Sequence, residues 1–219
     1  MPTNRQYLAP LDPGQMYHIC NRTNHNTLLF RSDENRRFFL QQFDLYLSHL
    51  LDTYAWCLLS NHFHFQVQMK TEEYAYEHLL RVPPEHQTIT QMRFLAGETD
   101  FNDLAVKAFK QFFISYSLAY CNQYRLKGNL FYREFKRVFI EDEHQFKNTM
   151  LYIHTNPVKH GIIEDFRDYK WSSWSEYEVR KYSKINREVV YGIFGNKSEF
   201  LSAHIHHQEF LSQKILYPV

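Results

Sequence analysis

A chain of 219 residues, 44% of them hydrophobic, is long enough to bury a full core, and its formal net charge of +1 excludes a global basic field that gathers polyanions. Cys20, Cys57 and Cys121 are odd in number and widely spaced, with no C-x-x-C, which excludes a disulfide framework and fits reduced thiols in a cytoplasmic protein. No apolar run approaches the roughly 18 residues of a membrane span, and residues 1–16 carry no apolar signal core, so no membrane partner is expected.

In chain order, Tyr17 to Arg22 is short, rich in strand formers and preceded by the Pro13-Gly14 turn signal, and reads as a first strand. Ser32, with Asp33 and Glu34 behind it, caps a helix expected to run to about Leu51 on a stripe of Phe38, Phe39, Phe43, Tyr46, Leu47 and Leu50. Tyr54 to Leu59 reads as a second strand that turns at Ser60-Asn61 into a third, forming a tight hairpin. Residues 71–100 are acidic, contain Pro83-Pro84 and have no clean period, as expected of a partly helical insertion. Asp100 or Asn102 caps a long helix, with Gly128 as its expected stop. Asn129 to Ile140 alternates as a fourth, basic strand, and a helix follows from about Glu143 to Asn156, expected to stop at Pro157. A short terminal helix is expected from Ser198 to about Leu211.

This order predicts an α+β fold: a ferredoxin-like or RRM-like βαββαβ antiparallel sheet with helices on one face, then a further helix and a C-terminal extension. The third strand, Asn61-His62-Phe63-His64-Phe65-Gln66-Val67-Gln68, alternates throughout. Phe63, Phe65 and Val67 are expected under the helices, with His62 and His64 on the open face. Two imidazoles at this spacing project side by side, as a single divalent metal requires. The pair alone is weak evidence. With 13 His in the chain, chance yields roughly 0.8 His-x-His triplets, and a second, His204-Ile205-His206, does occur. Two polar residues on a wet strand face remain the bland alternative.

Neutrality also hides a basic stripe. Arg125, Lys127, Arg133, Lys136 and Arg137 stand between positions 121 and 140 with Glu134 as the acid among them. That is the electrostatic footprint of a phosphate backbone.

Met150-Leu151-Tyr152-Ile153-His154-Thr155-Asn156-Pro157-Val158-Lys159-His160-Gly161, taken with Asn61-His62-Phe63-His64, resembles the REP-associated tyrosine transposases, relatives of the single-tyrosine HUH transposases. Gly14-x-x-Tyr17-His18-Ile19-x-Asn21-Arg22, Leu130-Phe131-x-Arg133-x-Phe135-Lys136 and Trp171-Ser172-Ser173 match as well, so the resemblance spans about residues 14–177. Ser60 departs from the family, where Pro often precedes the Asn-His. The resemblance implies a transposase domain over residues 1–177, with 71–100 inserted, and leaves 178–219 as a helical extension.

It further implies a metal-dependent enzyme that nicks and joins hairpin-forming single-stranded DNA, as a monomer or homodimer, with Tyr152 as nucleophile. A phenol of pKa about 10 needs help at neutral pH, which a divalent metal on His62 and His64 would give. Asn156 lies one helical turn after Tyr152, and its amide oxygen suits Mg²⁺ or Mn²⁺. The resemblance points the same way, to a polar third ligand at this offset. Capping the helix before Pro157 is the alternative role for Asn156. Lys159 or His160 is a candidate phosphate contact. A hairpin-binding protein with little or no cleavage, a metal nuclease that uses water, and an RNA-binding module on the same sheet topology stay open.

Overall fold

The computed structural model describes residues 7–24, 27–131, 134–178 and 183–216. Four strands form one antiparallel sheet: β1 (Met16–Arg22), β2 (Leu51–Leu58), β3 (His62–Met69) and β4 (Lys136–Ile140), in the order β2-β3-β1-β4. Insertion of β3 between β1 and β2 is the split β-α-β arrangement. Helix α1 (Asp33–Leu47) links β1 to β2, and α4 (Phe101–Tyr124) precedes β4. The β2–β3 hairpin is tight, with Leu59 N–H donating to the His62 carbonyl at 2.9 Å.

The phenylalanines of β3 meet α1 and α4 as the alternation requires. Phe43 stacks on Phe65 with ring centroids 4.0 Å apart, and Phe39 lies 5.1 Å from Phe63. Each fully buried ring of this kind contributes about 1.5–3 kcal/mol of hydrophobic stabilisation. The acidic segment is ordered against the same core. It forms α2 (Glu72–Leu80), a single turn at Pro84–His86 and α3 (Ile89–Leu95), and buries Ala75, Leu79 and Phe94.

The other face of the sheet is not open. Helix α5 (Glu143–Lys159) lies across β2 and β3, followed by α6 (Trp174–Glu178), α7 (Arg187–Phe194) and α8 (Lys197–Leu216). These enclose a second apolar core around Phe146, Ile153, Trp174, Tyr177 and Phe200. Gln66, expected to look outward, is fully buried, and its amide donates to the Phe146 carbonyl at 3.1 Å. The Trp-Ser-Ser segment pairs with the outer edge of β2: Leu58 N–H donates to the Trp171 carbonyl and Ser173 N–H to the Trp56 carbonyl, both at 2.9 Å. That pairing covers one end of the open edge of the hairpin.

Several boundaries differ from expectation. Helix α1 ends at Leu47, before β2 begins at Leu51. Helix α4 ends at Tyr124, four residues before Gly128, with Arg125 itself adopting the left-handed conformation (φ 52°) that closes it. β4 is shorter than its alternation suggested and begins at Lys136. Pro157 does not stop α5, which runs on to Lys159. Proline inside a helix costs about 3 kcal/mol. Here Pro157 and Val158 are buried with the turn before them, and tertiary packing outweighs local propensity. No helix among the described residues is long and apolar enough to cross a membrane.

Candidate active site and metal centre

β1 and β3 build the floor of the site through their register. Arg22 pairs with His62, Cys20 with His64 and His18 with Gln66. Side chains alternate along each strand, so His18 and Cys20 share a face with His62 and His64. The two β3 imidazoles have centroids 5.2 Å apart. Each has its δ nitrogen occupied within the protein. His62 Nδ1 donates to Asn61 Oδ1 at 2.7 Å, and His64 Nδ1 meets His18 Nε2 at 2.9 Å. With Nδ1 of His62 carrying the proton, its lone pair lies on Nε2. A partner on the far nitrogen fixes the orientation of metal-binding histidines in this way.

Helix α5 forms the roof. The ring of Tyr152 stands edge-on to His64, centroids 5.3 Å apart, and to His18 at 6.0 Å. Asn156, one turn on, is fully buried. Its amide is near enough to His62 and Tyr152 to favour the imidazolium of the first and the phenolate of the second, but it completes hydrogen-bond geometry with neither. His160 lies 5.1 Å from the His62 ring, and the Lys159 ammonium sits 4.7 Å above the Tyr152 ring. Asn156 is therefore not a terminal cap, because the helix continues past it and its side chain bonds no backbone group.

Three buried polar atoms here lack a hydrogen-bond partner among the described residues: His64 Nε2 and both amide atoms of Asn156. Leaving such an atom unsatisfied costs about 1–3 kcal/mol. A cation between His62, His64 and Asn156 would satisfy the imidazole nitrogen and the amide oxygen together, so the residues fit a divalent metal. The protonation states agree. Burial, with His160 and Arg22 adding to it against a smaller opposing effect of Asn156, holds His62 at about 4. Burial and the neighbouring His18 and His62 hold His64 well below the usual imidazole range. Both rings are then neutral at physiological pH, the state in which an imidazole can bind a metal. Burial raises the Tyr152 phenol above its ordinary value, against the opposing pull of Asn156.

The predicted basic residues divide. Lys136 pairs with Cys20 across the β1–β4 register, so it lies on the site's face and is exposed. Arg137 pairs with Ile19 and faces the opposite way, where its Nε donates to the Ala9 carbonyl at 2.6 Å. The single stripe expected from sequence is thus split by strand alternation. Arg125 and Lys127 are exposed in the connection after α4, and Arg133 lies outside the described residues. His18, Cys20, Arg22 and Asn61 are brought to the site although sequence reasoning had not placed them there. The signal for His18 and Cys20 was the alternation of β1, legible once β3 is known to be its neighbour.

His154 is fully buried. Trp56 N–H donates to Ser173 Oγ, Ser173 to His154 Nε2, His154 Nδ1 to His204 Nε2, and His204 Nδ1 to the Phe200 carbonyl, over 2.8–2.9 Å. Each imidazole in that relay is neutral and satisfied. The relay ties β2 to helix α5 and then to α8.

Two imidazoles of the sheet thus face a helix tyrosine and a buried, unpartnered amide, a candidate metal site with a phenol beside it. No family model matches the chain. A Haemophilus influenzae protein named "Putative REP-associated tyrosine transposase" is 28% identical over 123 residues, covering 56% of this chain and 58% of that relative's length. The likeness to REP-associated tyrosine transposases carried by the motifs is borne out by this alignment. A solved structure of a REP-associated tyrosine transposase bound to a REP hairpin aligns with 84% of this chain and 89% of its own, at TM-score 0.49 and 17% identity.

Proposed function

We propose that the chain cleaves and rejoins hairpin-forming single-stranded DNA through a 5′-phosphotyrosine on Tyr152, with Mg²⁺ or Mn²⁺ held by His62, His64 and Asn156. The observation that carries this reading is the set of unpartnered buried atoms, His64 Nε2 and the Asn156 amide, beside Tyr152. The substrate class follows from the likeness to REP-associated tyrosine transposases. Tyr152 Oη forms a bond to phosphorus as the bond to the 3′ oxygen breaks. The phenol gives up a proton and the departing 3′ oxygen takes one up. Covalent capture conserves the phosphodiester's energy, so a 3′-OH can later reverse the step and join strands. A bound divalent ion supplies Lewis-acid polarisation of the phosphoryl oxygens. Asn61 and His18 orient the two imidazoles, while Lys159 and Lys136 neutralise backbone phosphates on either side.

An RNA-recognition reading requires an open sheet face on which bases stack. Helix α5 covers that face and buries Gln66, which tells against it. The test is His64→Ala with hairpin-bearing single-stranded DNA and Mn²⁺. Loss of cleavage with hairpin affinity retained is expected; undiminished cleavage would remove His64 from the site.

A further inference from the structure

We propose a second cation site, formed by His18, Cys20 and His64, that takes a thiophilic ion of the zinc class and disables the transfer site by claiming His64. The inference rests on the function proposed above for its regulatory consequence and on the structure alone for the site. Cys20 and His64 are direct cross-strand partners, and His18 stands two residues before Cys20 on the same face. One ligand atom from each of the three lies within 4.8 Å of the others. This set shares only His64 with the residues that favour a hard cation. It contributes a sulfur and two nitrogens, where Asn156 contributes a neutral oxygen. Thiolate and imidazole together select zinc-like ions, with three protein ligands leaving a fourth position open.

His64 joins the two sets because its ring has two working edges. Nδ1 faces His18 at 2.9 Å, across a proton that the two imidazoles share. Nε2, on a residue only 6% exposed, has no partner among the described residues. A thiophilic ion on the Nδ1 edge displaces the shared proton to Nε2 of the same ring, which then has no lone pair to offer, and the Cys20 thiol gives up its proton to solvent. A dication there repels a second dication at Nε2 of the same ring. The two sites are therefore mutually exclusive, and scarce zinc-class ions act as an off switch.

Cobalt(II) chloride titrated into the reduced full-length chain, without DNA, reads this site directly. The wild type should develop a near-ultraviolet thiolate-to-cobalt charge-transfer band. Cys20→Ser and Cys20→Ala should lose it, whereas Cys57→Ser, His62→Ala and Asn156→Ala should keep it. Zinc chloride should displace Mn²⁺ from the wild type, seen as the return of free Mn²⁺ resonance. Cys20→Ser should raise the zinc needed by more than about 100-fold, above the loss caused by an outer-shell change. No band in the reduced wild type, an undiminished band in Cys20→Ser, or its loss in His62→Ala would overturn the proposal. None of these outcomes depends on DNA cleavage.

Discussion

Asn61 Oδ1 accepts from His62 Nδ1 at 2.7 Å, so the residue that turns the β2–β3 hairpin also sets the tautomer of the first proposed ligand. Outer-shell partners of this kind are worth about 10–100-fold in metal affinity. Asn61→Ala should weaken Mn²⁺ binding by that factor, and Asn61→Asp, which keeps the acceptor, should recover most of it. Calorimetric titration decides the matter; equal affinity in wild type and Asn61→Ala would leave Asn61 a turn residue alone.

Much of this site was legible in the sequence, for reasons that differ by residue. Alternation puts His62 and His64 on one face of one strand, but it was the resemblance to REP-associated tyrosine transposases that singled out Tyr152; the four-residue spacing adds that Asn156 shares its helix face. The β2–β3 hairpin and the phase of Phe63 and Phe65 follow from the same local periods. Long-range pairing was not legible. Nothing local says that Cys20 faces His64, or that Arg137 turns to the far side to hold Ala9. Pro157 misled because its helix-breaking tendency is local, while the burial that overrides it comes from the distant C-terminal helices.

Asn156→Ala should lower Mn²⁺ affinity and slow cleavage while leaving Tyr152 able to form adduct. Asn156→Gln should restore part of both, since it keeps the amide oxygen. Equilibrium Mn²⁺ binding beside single-turnover cleavage separates the effects. Unchanged metal affinity in Asn156→Ala would exclude the amide from the ligand set.

Salt dependence separates the basic residues. Lys136→Ala and Lys159→Ala should each reduce the slope of log affinity against log salt by about one, as loss of a phosphate contact does. Arg137→Ala should leave the slope unchanged, because its side chain faces the opposite side of the sheet. A reduced slope in Arg137→Ala would contradict that division. The readout is fluorescence anisotropy with a labelled hairpin at several salt concentrations.

Phe200 packs against Trp174 with parallel rings 5.5 Å apart and against Tyr177 at 4.8 Å. Truncating such a buried ring costs about 3–5 kcal/mol. Phe200→Ala should therefore lower unfolding stability by that amount in urea, and a loss below about 1 kcal/mol would mean that α8 adds little to the fold.

Burial holds His204, which faces His154 on α5 and lies near His207 on its own helix, down at about 3 against an ordinary 6.5. As pH falls below 6.5, the unfolded chain takes up a proton that the folded ring refuses. Stability contributed by this group is full above 6.5 and declines from there towards about 3. The slope is at most about 1.4 kcal/mol per pH unit. His204→Gln should flatten the fall in urea midpoint between neutral and mildly acidic buffers, whatever its effect at neutral pH. An unaltered slope would refute the linkage.

On the function proposed here, the Tyr152 oxygen becomes bonded to DNA. Wild-type protein, Mn²⁺ and hairpin-bearing single-stranded DNA should give a denaturant-resistant adduct. After proteolysis and nuclease treatment, mass spectrometry should place the phosphate on the peptide containing Tyr152, and Tyr152→Phe should give no adduct while still binding Mn²⁺ and hairpin. Cleavage that persists in Tyr152→Phe, or an adduct mapped to another residue, would contradict the account.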